Sequence, residues 1–212
     1  MYHIDHFVYL VHDLEGMADQ IGHQLGVAFR PGGRHQDRGT RNVLLRVGPK
    51  TYLELLAIDP DNNAIAAPRW MGVDLLPPTV VGRLSRWAVA TTGEQYDMSR
   101  RELAAISPAM GVSEPGSRQL ADGSTLKWRL TAPGAEPAVR AAPFLIDWFG
   151  QLTPAEKLPE AGVSIRSFTG RHARQLPSFV RAVEGVTFTP GPEDVLRLEL
   201  VGPAGQLVIL TS

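Results

Sequence analysis

The chain has 212 residues, a formal net charge of -1 and no cysteine. That charge leaves no electrostatic footprint for nucleic acid or an anionic membrane, and the missing thiols exclude disulfides, thiolate metal sites and cysteine nucleophiles. Hydrophobic residues make up 43% and charged residues 20%, the balance of a globular protein with one large or two small cores. No apolar run approaches the ~20 residues that span a bilayer, and Met1 leads straight into a strand pattern without a basic and then apolar leader. A cytoplasmic location is therefore expected.

The first unit spans about residues 1–60. Its opening strand, Ile4-Asp5-His6-Phe7-Val8-Tyr9-Leu10-Val11, places His6 on one face with Ile4, Val8 and Leu10, because strand side chains alternate. Asp13 can cap a helix whose apolar positions Leu14, Met17, Ala18, Ile21 and Leu25 keep helical spacing, with Gly26 placed to end it. A short strand around Val27-Phe29 and a Gly/Arg-rich loop from Arg30 to Arg38 lead to the strand Thr40-Val47 and a Gly48-Pro49 turn. In that strand Asn42, Leu44 and Arg46 face one way, and Val43, Leu45 and Val47 the other. The closing strand, Thr51 to Ile58, sets Glu54 on one face with Tyr52 and Leu56. A carboxylate among such neighbours is costly to bury without a partner. Arg46 or Arg41 across the strand pair could supply one, and so could His6 or a metal held between them.

Residues 61–82, rich in proline and small side chains, read as a connector whose Trp70 and Met71 fold back onto the body. The second unit, 83–150, offers a strand over Arg86-Thr91 and a capping box at Ser99-Arg100-Arg101-Glu102 opening a short helix through Ile106. Asp122-Gly123 signals a hairpin, after which Leu126, Trp128 and Leu130 alternate with Lys127 and Arg129. The run Pro143 to Trp148 closes the unit and holds Asp147, a ligand, turn or cap residue. In the third unit, 161–212, Leu176, Phe179, Val180 and Val183 repeat the helical spacing of Leu14, Met17, Ala18 and Ile21. Strands are expected around Val163-Phe168, over Val195-Leu200 and over Gln206-Leu210. With Val208 where Glu54 would be, and no histidine on its first strand, this unit is expected to be structural.

Repeated β-α-β-β(-β) units with a histidine on the first strand and a glutamate on the last resemble the glyoxalase-like domain family of the vicinal oxygen chelate superfamily. The match is carried by Ile4 to Val8, Gly33-Arg34-His35 with Gly39-Thr40-Arg41-Asn42, and Tyr52-Leu53-Glu54-Leu55. Trp128-Arg129-Leu130 and Pro143 to Trp148 extend it, so that it covers about residues 1–150. The resemblance implies an α+β fold of βαβββ-type units forming a curled mixed sheet around a cavity, with the third, shorter unit alongside or at a homodimer contact. It implies a divalent metal (zinc, nickel, manganese and iron being equally allowed) held by His6 and Glu54, with Asp147 or His35 as a third ligand. At the corresponding place the second unit offers Arg86 or Trp87, neither of which binds a cation usefully.

His35 is expected at the cavity mouth, with Thr40, Asn42, Arg46 and Tyr52 lining the substrate site and Glu54 as catalytic base or metal ligand. His6 on the bland reading is a buried histidine bonded to a backbone carbonyl or to Asp5. The implied function is the binding of a small oxygen-bearing organic molecule, with metal-dependent isomerase, lyase or dioxygenase chemistry. The alternative is a non-catalytic protein that sequesters such a molecule without metal. No nucleic-acid or membrane partner is expected.

Overall fold

A computed structural model describes residues 1–119, 125–134, 136 and 138–212, without the side chains of 118, 119 and 125. The first unit runs β1 (His3–Val11), α1 (Leu14–Leu25), β2 (Arg30–His35), β3 (Thr40–Arg46) and β4 (Tyr52–Ile58). Helix α1 begins and ends where expected. The Asp13 carboxylate accepts from the Gly16 N–H at 3.0 Å, and Gly26 closes the helix in the left-handed region at φ 72°. The Gly/Arg-rich stretch, expected to be a loop, is instead the strand β2. It lies at the end of the sheet and pairs with β3, with an irregularity between Pro31 and Gly33, so proline's missing donor breaks no central ladder.

A 3-10 segment, Trp70–Leu75, folds Met71 into the core as the connector reading anticipated. The second unit follows as β5 (Gly82–Ala90), α2 (Gly93–Ile106), β6 (Ser113–Gln119), β7 (Thr125–Thr131) and β8 (Phe144–Asp147). The expected capping box does not open a helix: α2 starts two turns earlier, and Ser99 lies buried inside it. Its hydroxyl bonds back to the Gln95 carbonyl at 2.8 Å, as helix-interior serines do, while Glu102 accepts from the Ser178 N–H. The Asp122-Gly123 turn lies outside the described residues, but the strands on either side of it pair antiparallel.

After the four-residue α3 (Pro154–Lys157), the third unit contributes β9 (Ser164–His172), β10 (Val186–Pro190), β11 (Val195–Val201) and β12 (Leu207–Thr211). The expected helix over Leu176–Val183 is only a 3-10 turn, Ser178–Ala182. Pro177 withholds a donor and steers Leu176 away from helical geometry, while Phe179, Val180 and Val183 are buried by tertiary packing alone. The strand β10, Val186-Thr187-Phe188-Thr189-Pro190, is not among those expected, although its β-branched and aromatic residues favour a strand.

One sheet has eight strands in the order β2-β3-β4-β1-β5-β8-β7-β6, and a second has four in the order β10-β9-β11-β12. The outer face of the large sheet carries Phe7, Leu53, Leu55, Trp87 and Val89. It packs against α1, α2 and the second sheet in one continuous core. Phe168 of β9 meets the rings of Phe7 and Trp87 edge-on, with centroids 4.7 and 5.2 Å away. The third unit is thus welded to the other two. The inner face carries Val8, Leu10, Leu56, Ala88, Leu126, Trp128, Leu130, Phe144, Ile146 and Trp148, and it holds the cavity.

Candidate functional site

His6 sits on the inner face of β1, and Glu54 on that of β4, the parallel neighbour. Both are buried, and His6 Nε2 faces Glu54 Oε2 at 3.7 Å. On its far side, His6 Nδ1 bonds to Asp5 Oδ1 at 2.5 Å. Adjacent strand residues ordinarily point to opposite faces. Here an irregularity in the β1/β5 register between Ile4 and His6 re-aims Asp5 toward its neighbour. Asp5 is fully buried, and its second oxygen accepts from Trp148 Nε1 at 2.8 Å. Of the two bland partners considered for His6, a carbonyl or Asp5, the structure has Asp5.

The Glu54 carboxylate accepts from Asn42 Nδ2 at 2.5 Å, so Oε1 is fixed and Oε2 is turned toward the imidazole. Glu54 therefore does not pair with Arg46. The Arg46 guanidinium donates to the carbonyls of Gly48, Pro49 and Leu158 and is not among the residues lining the hollow, contrary to its expected substrate role. Those bonds tie the 48–49 turn to the segment after α3.

The other expected residues divide. Asn42, Tyr52 and His35 line an inner hollow of about 40 Å³ together with His6, Glu54 and an apolar wall containing Trp70, Trp128, Phe144 and Trp148. Tyr52 stacks on the His6 ring at a centroid distance of 4.8 Å, and Phe144 meets it edge-on at 5.3 Å. Thr40 lies behind His35, bonded to its Nδ1 at 3.0 Å, and orients that ring against Trp70 instead of lining the hollow itself. Asp147 is displaced altogether. Phe144, Ile146 and Trp148 of the β8 run take the inner face, so alternation sends Asp147 to the outer one. There it holds Arg129 with Oδ2, at 3.1 and 3.0 Å, and accepts from the Phe149 N–H with Oδ1. Sequence reasoning assigned no role to the walls Trp70, Trp128, Phe144 and Trp148. Period-two alternation in the Leu126–Leu130 and Phe144–Trp148 runs was the signal that could have found them.

The hollow opens into a vestibule of about 450 Å³, sharing His35, Trp70, Trp128 and Leu130 as common walls. Arg34 and Arg38 stand at its rim, and both are paired. Arg34 contacts Asp59 and Asp61 at 3.3 and 2.5 Å, and these carboxylates, Asp61 foremost, raise its pKa. Arg38, beyond the end of β2, reaches Glu114 on β6 at 2.6 Å and lies over the Trp70 ring. This pair joins the two ends of the eight-stranded sheet across the mouth.

The donor set can be tested against the divalent metal that the superfamily implies. Phe7 stands opposite Trp87 at the β1/β5 junction, and an approximate twofold through that pair exchanges His6 with Arg86 and Val8 with Ala88. Val8 is level with Glu54 on β4, and Ala88 is level with Phe144 on β8, so the same operation exchanges Glu54 with Phe144. The second unit thus offers an arginine and a phenylalanine where the first offers an imidazole and a carboxylate. Arg86 is committed elsewhere, donating to the carbonyls of Pro133, Met71 and Glu136. Among the described residues no group of three or more His, Asp or Glu side chains is arranged to hold a metal ion. One imidazole and one carboxylate fall short of the three protein ligands that hold a catalytic divalent metal. The residues present do not fit that group.

No curated protein matches the sequence. Among solved structures, a hypothetical protein from Staphylococcus aureus is similar over 100% of this chain and 85% of its own, at 14% identity and a TM-score of 0.56. Methylmalonyl-CoA epimerase from Mycobacterium tuberculosis matches 68% of this chain and 85% of its own, at 16% identity and a TM-score of 0.41. The Streptomyces coelicolor epimerase, as a variant in complex with 2-nitronate-propionyl-CoA, matches 71% of this chain and 97% of its own, at 17% identity and 0.43. The model of the glyoxalase-like domain family matches residues 4–186, which takes in the eight-stranded sheet except His3 and reaches into the third unit. The chain belongs to the glyoxalase-like domain family.

Proposed function

We propose that the chain binds a small oxygen-bearing organic molecule in the hollow and moves a proton on it, with His6 and Glu54 as the two proton carriers. The observation that carries this reading is the confrontation of Nε2 and Oε2 at 3.7 Å with both far sides held, by Asp5 and by Asn42. An ionised carboxylate only accepts, so Asp5 fixes the proton of the neutral ring on Nδ1 and leaves Nε2 as the acceptor facing the cavity. The chemistry needs one proton, carried on Nε2 or on Oε2. With His6 carrying it, Glu54 removes a proton from a carbon next to a ligand carbonyl, breaking the C–H bond. His6 gives its proton to the carbonyl oxygen, and the product is the enol. Glu54 then gives its proton to carbon, on the same or a neighbouring position, as His6 takes a proton from an enol hydroxyl, which completes an isomerisation. The aromatic walls exclude water and strengthen these electrostatic interactions.

Carbon-bound deuterium uptake from heavy water, followed by NMR over a panel of small ketones, hydroxyketones and lactones, tests this reading. Uptake by the wild-type protein should fall at least about a hundredfold in His6→Ala and in Glu54→Gln, the scale of a positioned general base. Uptake that is unaltered in both variants overturns it. The mostly apolar lining of the hollow favours sequestration as the second reading. Saturable binding with no uptake by the wild-type protein would select it.

A further inference from the structure

Building on the proposed binding at His6 and Glu54, we infer that the ligand is an uncharged, flat organic molecule. Its oxygen-bearing end enters the hollow and its larger body lies in the vestibule against Trp70 and Trp128. The site rejects an anionic end.

Size sets the division. The inner hollow, at about 40 Å³, has room for a group of a few heavy atoms, whereas the vestibule is about ten times larger. Because the two share four walls, one ligand can occupy both. Shape follows from the glycines. A Cβ on Gly116 would come within 2.8 Å of Trp128 Cζ2, so the indole lies flat on that backbone. Gly32 and Gly33 leave the facing strand without side-chain bulk, which gives a slot suited to a planar body.

Charge decides the chemistry. Among the described residues lining the hollow there is no lysine or arginine, while Glu54 lines it and Asp5 stands directly behind His6. Even with His6 protonated, the site carries one more carboxylate than cation. The rim arginines do not offset this, since each already faces acidic partners. A carboxylate or phosphate about 4 Å from Glu54 would lose between about fivefold and about a thousandfold in affinity, according to the local screening. A cation would be attracted, but it would lock Glu54 into an ion pair and withdraw the base. The Trp70 indole nitrogen is buried without a partner, a donor suited to a neutral oxygen on the ligand body.

The test uses the intact protein and three probes of one shape: acetophenone, benzoate and phenyltrimethylammonium, titrated by ligand-observed NMR at low salt and neutral pH. Acetophenone should bind saturably and at least about fivefold more tightly than benzoate, while the ammonium probe, attracted to Glu54, should compete with it. Glu54→Gln should tighten benzoate by about fivefold or more relative to acetophenone. Benzoate binding as well as acetophenone to the wild-type protein, or no saturable acetophenone binding, would each overturn the inference. Deuterium uptake into the acetophenone methyl group reports separately on proton transfer. If it is absent while the ranking of probes holds, the proposed chemistry fails and the ligand class stands.

Discussion

Gly32 offers a direct test of how the carboxylate at the centre of the site is positioned. A methyl group there would meet Asn42 Cγ at 2.8 Å and Leu44 Cγ at 2.9 Å, with the Asn42 carboxamide oxygen nearer still. The backbone at Gly32 is not in the left-handed region, so Gly32→Ala is a steric perturbation and not a conformational one. Overpacking of this kind costs about 1–3 kcal/mol, and losing a hydrogen bond to a charged group costs about 1.5–3 kcal/mol. Since β2 pairs only with β3 among the strands of its sheet, it can give way somewhat, which sets the expectation at about 2–3 kcal/mol in urea unfolding. In an Asn42→Ala background the main clash and the hydrogen bond are both gone. Only the Leu44 contact remains there, and the same substitution should cost about 1 kcal/mol. A Gly32→Ala cost equal in the two backgrounds, within about 0.5 kcal/mol, would refute the idea that Gly32 acts through Asn42 on Glu54.

Other consequences are open to measurement. Asp5→Asn leaves one acceptor oxygen for Trp148 Nε1 and turns an amide N–H toward His6 Nδ1, so the Nδ1-protonated form should be lost in nitrogen NMR and any proton-transfer rate should fall at least about a hundredfold. Phe168→Ala removes a ring buried against Phe7 and Trp87 and should cost about 3–5 kcal/mol of unfolding free energy, with fold and ligand binding retained where stability allows. Burial lowers the pKa of His3, with Asp5 opposing more weakly, so the folded state binds fewer protons than the unfolded state near pH 6.5. Stability should therefore fall as pH drops through that region, and this component should vanish in His3→Gln; equal pH slopes for both proteins in denaturant unfolding would contradict it. Elemental analysis of the purified protein should find divalent metal well below one equivalent and unaltered by His6→Ala. A stoichiometric metal lost in that variant would show that ligands from outside the site described complete it.

Much of the first unit was legible because its signals are local. Asp13 and Gly26 bracket a helix through backbone chemistry confined to a few residues, and alternation grouped His6 with Val8 and Leu10 and Glu54 with Tyr52 and Leu56 as the structure does, although Ile4, beyond the strand irregularity, packs on the outer face. What failed was decided at a distance. Ser99 and Glu102 carry a helix-start pattern, yet the helix had already begun at Gly93. Leu176 to Val183 have helical spacing, yet Pro177 and the available core surface make a 3-10 turn sufficient. Asp147 reads from sequence as a ligand, turn or cap residue because nothing local sets the register of its strand, and in a period-two structure a shift of one residue inverts every side chain. The role of Asp5 depended on a strand irregularity that no composition announces.

The link between Arg38 and Glu114 has a consequence for how the chamber is entered. The curled sheet is held shut at its free margins by a surface ion pair, an attachment that dissolved ions weaken far more than they weaken the buried grip of Asp5 on His6. Rising ionic strength should thus loosen the doorway while leaving the machinery behind it intact, so that ligand exchange quickens in brine without a matching change in the groups that await the guest.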